Sequence, residues 1–247
     1  MILAESKGFS DLVGWPQGSV GPVETHGTTV LALRYKEGVL AVADRRATAG
    51  NLVMDDHADK VFALDDATLV AISGAFARSV EICRFLRHSF KYYKRTVLSE
   101  MSLEGKLMEI SRALSNNQQL ALQGIGVFLP IVGAYDRKRD EFGVYFFDGA
   151  GARFQNTEYA CAGSGSERIR GVFEYLSRTK GPWSARPFNE VLGESLQLLD
   201  IASELDSATG GFAKTLPVAR IVDRDGTREV PEGDLRKAAD RFFAAKP

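Results

Sequence analysis

The hydrophobic period of this chain switches from strand-like to helix-like and back more than once, and that alternation leaves few ways to bury every apolar face. "TTVLALRY" from Thr28 and "GVLAVADRR" from Gly38 are β-prone runs separated by Lys36 and Glu37, and they read as a hairpin. "DKVFALDD" and "ATLVAISGA" read as a second pair turning at Asp65 and Asp66. From about Arg78 to Arg95 the apolar residues, among them Val80, Ile82, Leu86 and Phe90, recur mostly at three- and four-residue steps, and "LEGKLMEISRALSNNQQLAL" after Ser102 repeats the habit, predicting two consecutive helices. "IGVFLPIVGAYD", "FGVYFFDGAG" and "ARFQNTEYACAG" return to strands, with turns near Arg137 to Asp140 and Gly149 to Gly151. A third helix follows Gly163-Ser164-Gly165-Ser166, capped by one of the two serines, and Pro187 opens a fourth. "LPVARIVDRDGTREVP" closes as a hairpin with Asp225-Gly226 at its turn, and a short amphipathic helix runs from Pro231. Two antiparallel sheets stacked face to face, each covered outside by a helix pair, bury all of these faces: an α+β fold of the four-layer αββα kind.

Composition excludes several functions. The 247 residues carry 31 basic and 32 acidic side chains, a net charge of -1, so no global field favours nucleic acid or an anionic membrane. Cys83 and Cys161 show no disulfide or zinc spacing, which fits a reducing cytoplasmic setting. His26, His57 and His88 have no metal-ligand spacing either, and no cofactor is expected. Residues 1 to 27 carry glycine and proline with little apolar periodicity, and Glu5 and Lys7 interrupt what a secretory signal would need as an apolar core. They read as a mobile extension outside the fold.

A threonine hydroxyl is a poor nucleophile unless a base takes its proton, and one solution is to make the residue N-terminal, so that a free amine sits beside its own hydroxyl. Cleavage after Gly27 would do this to Thr28, because glycine leaves the preceding carbonyl sterically open. The hairpin register adds a neighbour. If Tyr35 pairs with Gly38, the end of the second strand carrying Asp44 to Arg46 lies beside Thr28. Lys60 opens the next strand, and a lysine near Asp44 and a terminal amine has reason to titrate low and accept a proton.

"GTTVLALRYKEGVLAVADRRATAGNLV…DKVFALDD", "CAGSGSERIRGVFE" and "LDSATGGF" together resemble the catalytic β-subunit of the 20S proteasome in its actinobacterial form, an N-terminal nucleophile hydrolase. The resemblance spans residues 28 to 247 and implies that residues 1 to 27 are a propeptide. It implies Thr28 as the nucleophile exposed after Gly27, with Asp44 and Lys60 completing the active group. Arg46 would buttress the loop around Asp44, Ser164 would hold the amine and a water, and Asp206 and Thr209 would support Ser164. Many relatives have Ser in place of Thr209. Gly74 of "SGAF" would aim its backbone N–H at the developing oxyanion, a donor worth about 3 kcal/mol of barrier. Thr48 would pair by its backbone with an extended substrate. Ala47, Ala58, Ile72, Phe76 and Val80 would line an uncharged specificity pocket, which favours apolar side chains on the acyl side of the cut. Thr29 reads only as the next residue of the strand.

The assembly that the resemblance implies is a homo-heptameric β-ring between rings of α-subunits, fed by a regulatory ATPase ring with protein substrates, those tagged with a small protein modifier among them. Two other readings compete. The simpler α-less ring protease that works with an ATPase also starts Thr-Thr, but it typically has Asp-Gly where this chain has Asp44-Arg45 and lacks a counterpart of "DSATGG". A noncatalytic ring subunit usually lacks the nucleophile or the lysine, whereas this chain keeps Thr28, Asp44 and Lys60.

Overall fold

A computed structural model describes residues 27–49, 52–156, 158–212 and 215–243. Apart from Gly27, the expected propeptide lies outside the described residues. In chain order the strands are β1 (Thr29–Tyr35), β2 (Gly38–Ala43), β3 (Ala47–Ala49), β4 (Leu52–Asp55), β5 (Val61–Asp65), β6 (Thr68–Ala71), β7 (Ile131–Asp136), β8 (Glu141–Phe147), β9 (Arg153–Asn156), β10 (Tyr159–Gly163), β11 (Val218–Asp223) and β12 (Gly226–Glu229). The helices are α1 (Phe76–Val97), α2 (Leu103–Leu122), α3 (Ser166–Lys180), α4 (Phe188–Leu205) and α5 (Glu232–Phe243). One five-stranded sheet has the order β10-β1-β2-β11-β12, the other β5-β6-β7-β8-β9, and β3 with β4 forms a separate small hairpin. Every pairing is antiparallel.

The period-two alternation of each strand divides its side chains between two layers. Val30 and Ala32 of β1, with Val39, Ala41 and Ala43 of β2, face the inter-sheet core and meet Leu69, Ala71, Ile131 and Val144 of the other sheet. Small side chains dominate this layer, so the sheets approach closely: a Cβ on Gly133 would lie 2.8 Å from Val39 Cγ1. The opposite faces of β1 and β2, Leu31, Leu33, Leu40 and Val42, pack on Ile169 and Phe173 of α3 and on Val191, Leu196 and Leu199 of α4. Val70, Val132 and Phe147 pack outward on Leu86 of α1 and on Leu107 and Leu114 of α2. The expected αββα layering is therefore present. Burying a leucine or valine in such a layer contributes roughly 1.5–3 kcal/mol each.

Four local expectations are corrected. The run "ARFQNTEYACAG" is two strands: β9 ends the second sheet beside β8, while β10 joins the first sheet beside β1. No glycine or proline marks that crossing, so the alternation reads through it. The N-cap of α3 is Gly165, with no side-chain bond to the helix: Ser164 lies one residue before the cap and is turned to Asp206, to which it donates, and Ser166 is already the first helical residue and donates back to the carbonyl of Gly163. The closing turn is Arg224-Asp225, with Gly226 paired to Asp223, and the β5–β6 turn is Asp66-Ala67, with Asp65 paired to Thr68. In both turns an aspartate side chain before the bend accepts a backbone N–H two residues on, which sets the corner one residue away from where composition places it. The β3–β4 hairpin was not expected, and α5 adds Leu235 and Ala239 to the α3–α4 layer.

Candidate active site

The β1–β2 register is the expected one, with Tyr35 opposite Gly38 and Val30 opposite Ala43. Asp44 therefore leaves the end of β2 beside the start of β1. Its carboxylate is buried and takes four donors, two on each oxygen. Oδ1 accepts the N–H of Thr29 and the ammonium of Lys60, each at 2.8 Å, while Oδ2 accepts the N–H groups of Arg46 and Gly210, each at 2.9 Å. Lys60 sits just before β5 and is 1% exposed, so its charge has no water to retreat to. Its ammonium also donates to the carbonyl of Arg46. Burial pushes Lys60 below the ordinary lysine range, although Asp44 pulls the other way. A lysine held so, on the same Asp44 oxygen as the N–H of the residue after Thr28, is suited to give and take a proton.

A second cluster faces the first across β1. Thr29 pairs with Gly163 of β10, and Gly163 adopts φ +97, where a Cβ would lie 1.8 Å from the carbonyl oxygen of Thr28. Only glycine allows the two strands to meet so closely, and the next residue is Ser164. The Ser164 hydroxyl donates to Asp206 Oδ2 at 2.6 Å, and the Thr209 hydroxyl donates to the same oxygen at 2.6 Å. Asp206 caps the C-terminus of α4. Arg46 ties the loop after it to Asp44: its guanidinium donates to the carbonyls of Ser207 and Thr209 and pairs with Asp56 at 3.0 Å. Thr209 Oγ1 lies 2.7 Å from Thr29 Oγ1. Thr29, read from the sequence only as the next residue of the strand, and Gly163 and Gly210, which lie inside the quoted motifs without a role of their own, thus also belong to the candidate site.

At the junction itself, the Thr28 hydroxyl donates to the carbonyl oxygen of Gly27 at 2.6 Å, and the N–H of Gly27 donates to Thr48 Oγ1 at 2.9 Å. Thr48 lies on β3, which pairs with β4 in a two-stranded sheet, and its contact to Gly27 uses the side chain. A Cβ on Gly27 would lie 1.9 Å from Ala208 Cβ, so the loop carrying Asp206 to Thr209 also fixes glycine at position 27.

Gly74 has φ +101 and forms an isolated antiparallel bridge with Phe128. The bonds that make the bridge run from the N–H of Ala75 to Val127 and from the N–H of Leu129 to Ser73, which leaves the N–H of Gly74 outside the pairing. Gly74 shares the wall of a cleft of about 1120 Å³ with Ser73, Gly163 and Ser164. Ala47, Thr48, Ala58, Ile72, Phe76 and Val80 are not on that wall. Ala47 is on β3 with Thr48, Ala58 bonds to Arg45, and Ile72, Phe76 and Val80 pack with the α1–α2 cluster. Cys161 also faces the cleft, but burial pushes its thiol up to about 11, so it is protonated and weakly nucleophilic near neutrality. No His, Cys, Asp and Glu cluster able to hold a metal occurs among the described residues.

Comparison with known proteins bears on the whole chain. A family model described as "Proteasome subunit" matches residues 24–180. "Proteasome subunit beta" of Acidimicrobium ferrooxidans is 34% identical over 90% of this chain and 80% of its own length. The proteins of the same name from Jonesia denitrificans and Acidothermus cellulolyticus are each 31% identical, over 88% and 94% of this chain and 71% and 80% of their own lengths. With the layered fold above, these matches show that the chain belongs to the proteasome subunit family, among its β-type members.

Proposed function

We propose that this β-type subunit is a threonine endopeptidase whose nucleophile is Thr28. The observation that carries the reading is the Asp44 oxygen shared by the Thr29 N–H and the Lys60 ammonium, which ties a low-titrating lysine to the residue after Thr28. The first turnover is self-cleavage. Thr28 Oγ adds to the Gly27 carbonyl carbon, the Gly27–Thr28 C–N bond breaks, and the nitrogen takes a proton to become the amine of Thr28. Water then hydrolyses the Gly27 ester and frees the hydroxyl. On a substrate the same oxygen attacks a peptide carbonyl, with the Gly74 N–H placed for the oxyanion, and water activated by the new amine resolves the acyl-enzyme. Ser164, Asp206 and Thr209 hold that amine, and Arg46 keeps their loop against Asp44. Substrate adds as a strand along Thr48, with Ala47, Ala58, Ile72, Phe76 and Val80 shaping an apolar pocket.

The β-family membership supports a homo-heptameric β-ring stacked with α-subunit rings, served by a regulatory ATPase and acting in the cytoplasm on unfolded or tagged proteins. Among the described residues no helix is long and apolar enough to cross a membrane. The test is hydrolysis of an apolar peptide by particles assembled with the α-subunit: wild type cleaves and Thr28→Ala does not. Equal activity in both would exclude Thr28 as nucleophile.

A further inference from the structure

Thr29 is buried, and two hydrogen-bond systems meet at it. Its backbone N–H donates to the Asp44 oxygen that also accepts from Lys60. Its hydroxyl meets Thr209, and the direction of that bond follows from counting protons. A carboxylate oxygen only accepts, so the one hydroxyl proton of Thr209 is used on Asp206, 2.6 Å away. The proton in the 2.7 Å contact between Thr209 and Thr29 therefore belongs to Thr29. Ser164 likewise gives its proton to Asp206, which leaves the lone pairs of its oxygen as the accepting side. The order runs from Thr29 to Thr209 to Asp206, with Ser164 feeding the same carboxylate oxygen. Room is kept for it: a Cβ on Gly165 would lie 2.3 Å from Thr29 Oγ1 and 2.8 Å from Thr209 Oγ1.

We propose that Thr29 is a positioning residue for the Thr28 reaction: its hydroxyl, as the buried donor to Thr209 Oγ1, anchors the Thr209 hydroxyl and with it the Asp206 carboxylate on which Ser164 is set as an acceptor toward the Thr28 amine. The inference rests on the reading of Thr28 given above. Removing the hydroxyl leaves Thr209 Oγ1 without its buried donor; the Thr209 proton stays on Asp206, but the side chain loses one of its two tethers, so the carboxylate it shares with Ser164 is held less firmly. Substrate binds elsewhere, along β3, so the loss should fall on kcat and spare KM.

The experiment uses full-length chains assembled with the α-subunit, with kcat counted per chain that begins at Thr28 by intact mass. Thr29→Val, which keeps the shape, should lower kcat about tenfold, the scale of one buried hydrogen bond, with KM unchanged. Thr29→Ser should restore kcat to within about twofold, because the hydroxyl returns. The Thr29→Val/Thr209→Val double variant should be no slower than Thr209→Val alone, since Thr29 acts through Thr209. Full kcat in Thr29→Val, no rescue by Ser, or losses that multiply in the double variant would each overturn the proposal. Activity surviving in Thr28→Ala would overturn the underlying reading instead, so the two failures are distinguishable.

Discussion

Replacing Asp44 by Asn keeps the size of the side chain and removes what four neighbours depend on. Each carboxylate oxygen accepts two donors, and an amide has one accepting oxygen, so in either orientation its NH2 group confronts two donors. Two bonds to a charged acceptor are lost at about 1.5–3 kcal/mol each, and Lys60 is left in a 1% exposed site without its counter-charge. Breaking a buried ion pair from one side costs about 3–5 kcal/mol, a large share of the roughly 5–15 kcal/mol that holds a domain folded. The loss also has a pH signature. In the native chain Asp44 raises the proton affinity of Lys60 against the burial that lowers it, and in the variant burial and Arg46, which lower it, are opposed only by Asp206, the smallest of the influences. The folded variant then binds fewer protons at Lys60 than the folded wild type. Its stability therefore recovers relative to wild type as pH rises between the two folded-state values of Lys60. Denaturant unfolding of both proteins over a pH series below 10.5, the ordinary lysine value, should show a deficit of about 3–5 kcal/mol at the low end of the series and a smaller one toward its high end. A deficit under about 1 kcal/mol, or one unchanged with pH, would refute the description of Asp44 as the acceptor that sustains a buried lysine charge.

Other substitutions probe the same geometry. Peptide hydrolysis by assembled particles should rise with pH along a limb lying below 10.5, the ordinary value for lysine, because burial favours neutral Lys60; in Lys60→Arg, which stays charged, that limb should vanish from the rate profile. Gly163→Ala puts a Cβ 1.8 Å from the Thr28 carbonyl at φ +97, and should lower stability by about 2–4 kcal/mol in denaturant unfolding and block peptidase activity. Gly27→Val meets Ala208 at 1.9 Å, so intact-mass time courses should show slower release of the leader than in wild type, while chains that do mature turn over at the normal rate, since residue 27 is then gone.

Much of the layering was legible because β1 and β2 are short runs apolar on both faces with a turn between them, which suits buried strands, while α1 and α2 are apolar on one face at helical spacing. The hairpin register was legible too, since Lys36-Glu37-Gly38 leaves room for few turns. The boundary between β9 and β10 was not, because two strands of similar pattern follow one another there without glycine or proline and only long-range pairing separates them. The same limit hid Thr29. Its partner Thr209 is 180 residues away, and no local pattern distinguishes a strand threonine that donates to a distant hydroxyl from one that merely suits a pleated surface. Asp44 and Lys60 were within reach because a hairpin and one following strand suffice to place them near Thr28.

The most direct test of the central claim, that Thr28 is freed by its own hydroxyl, is the intact mass of the full-length chain after assembly with its α partner. Wild type should begin at Thr28, and Thr28→Ala, assembled the same way, should keep its leader. A wild-type chain that still carries residues before Thr28, or a Thr28→Ala chain cut after Gly27 at the wild-type rate, would contradict the account.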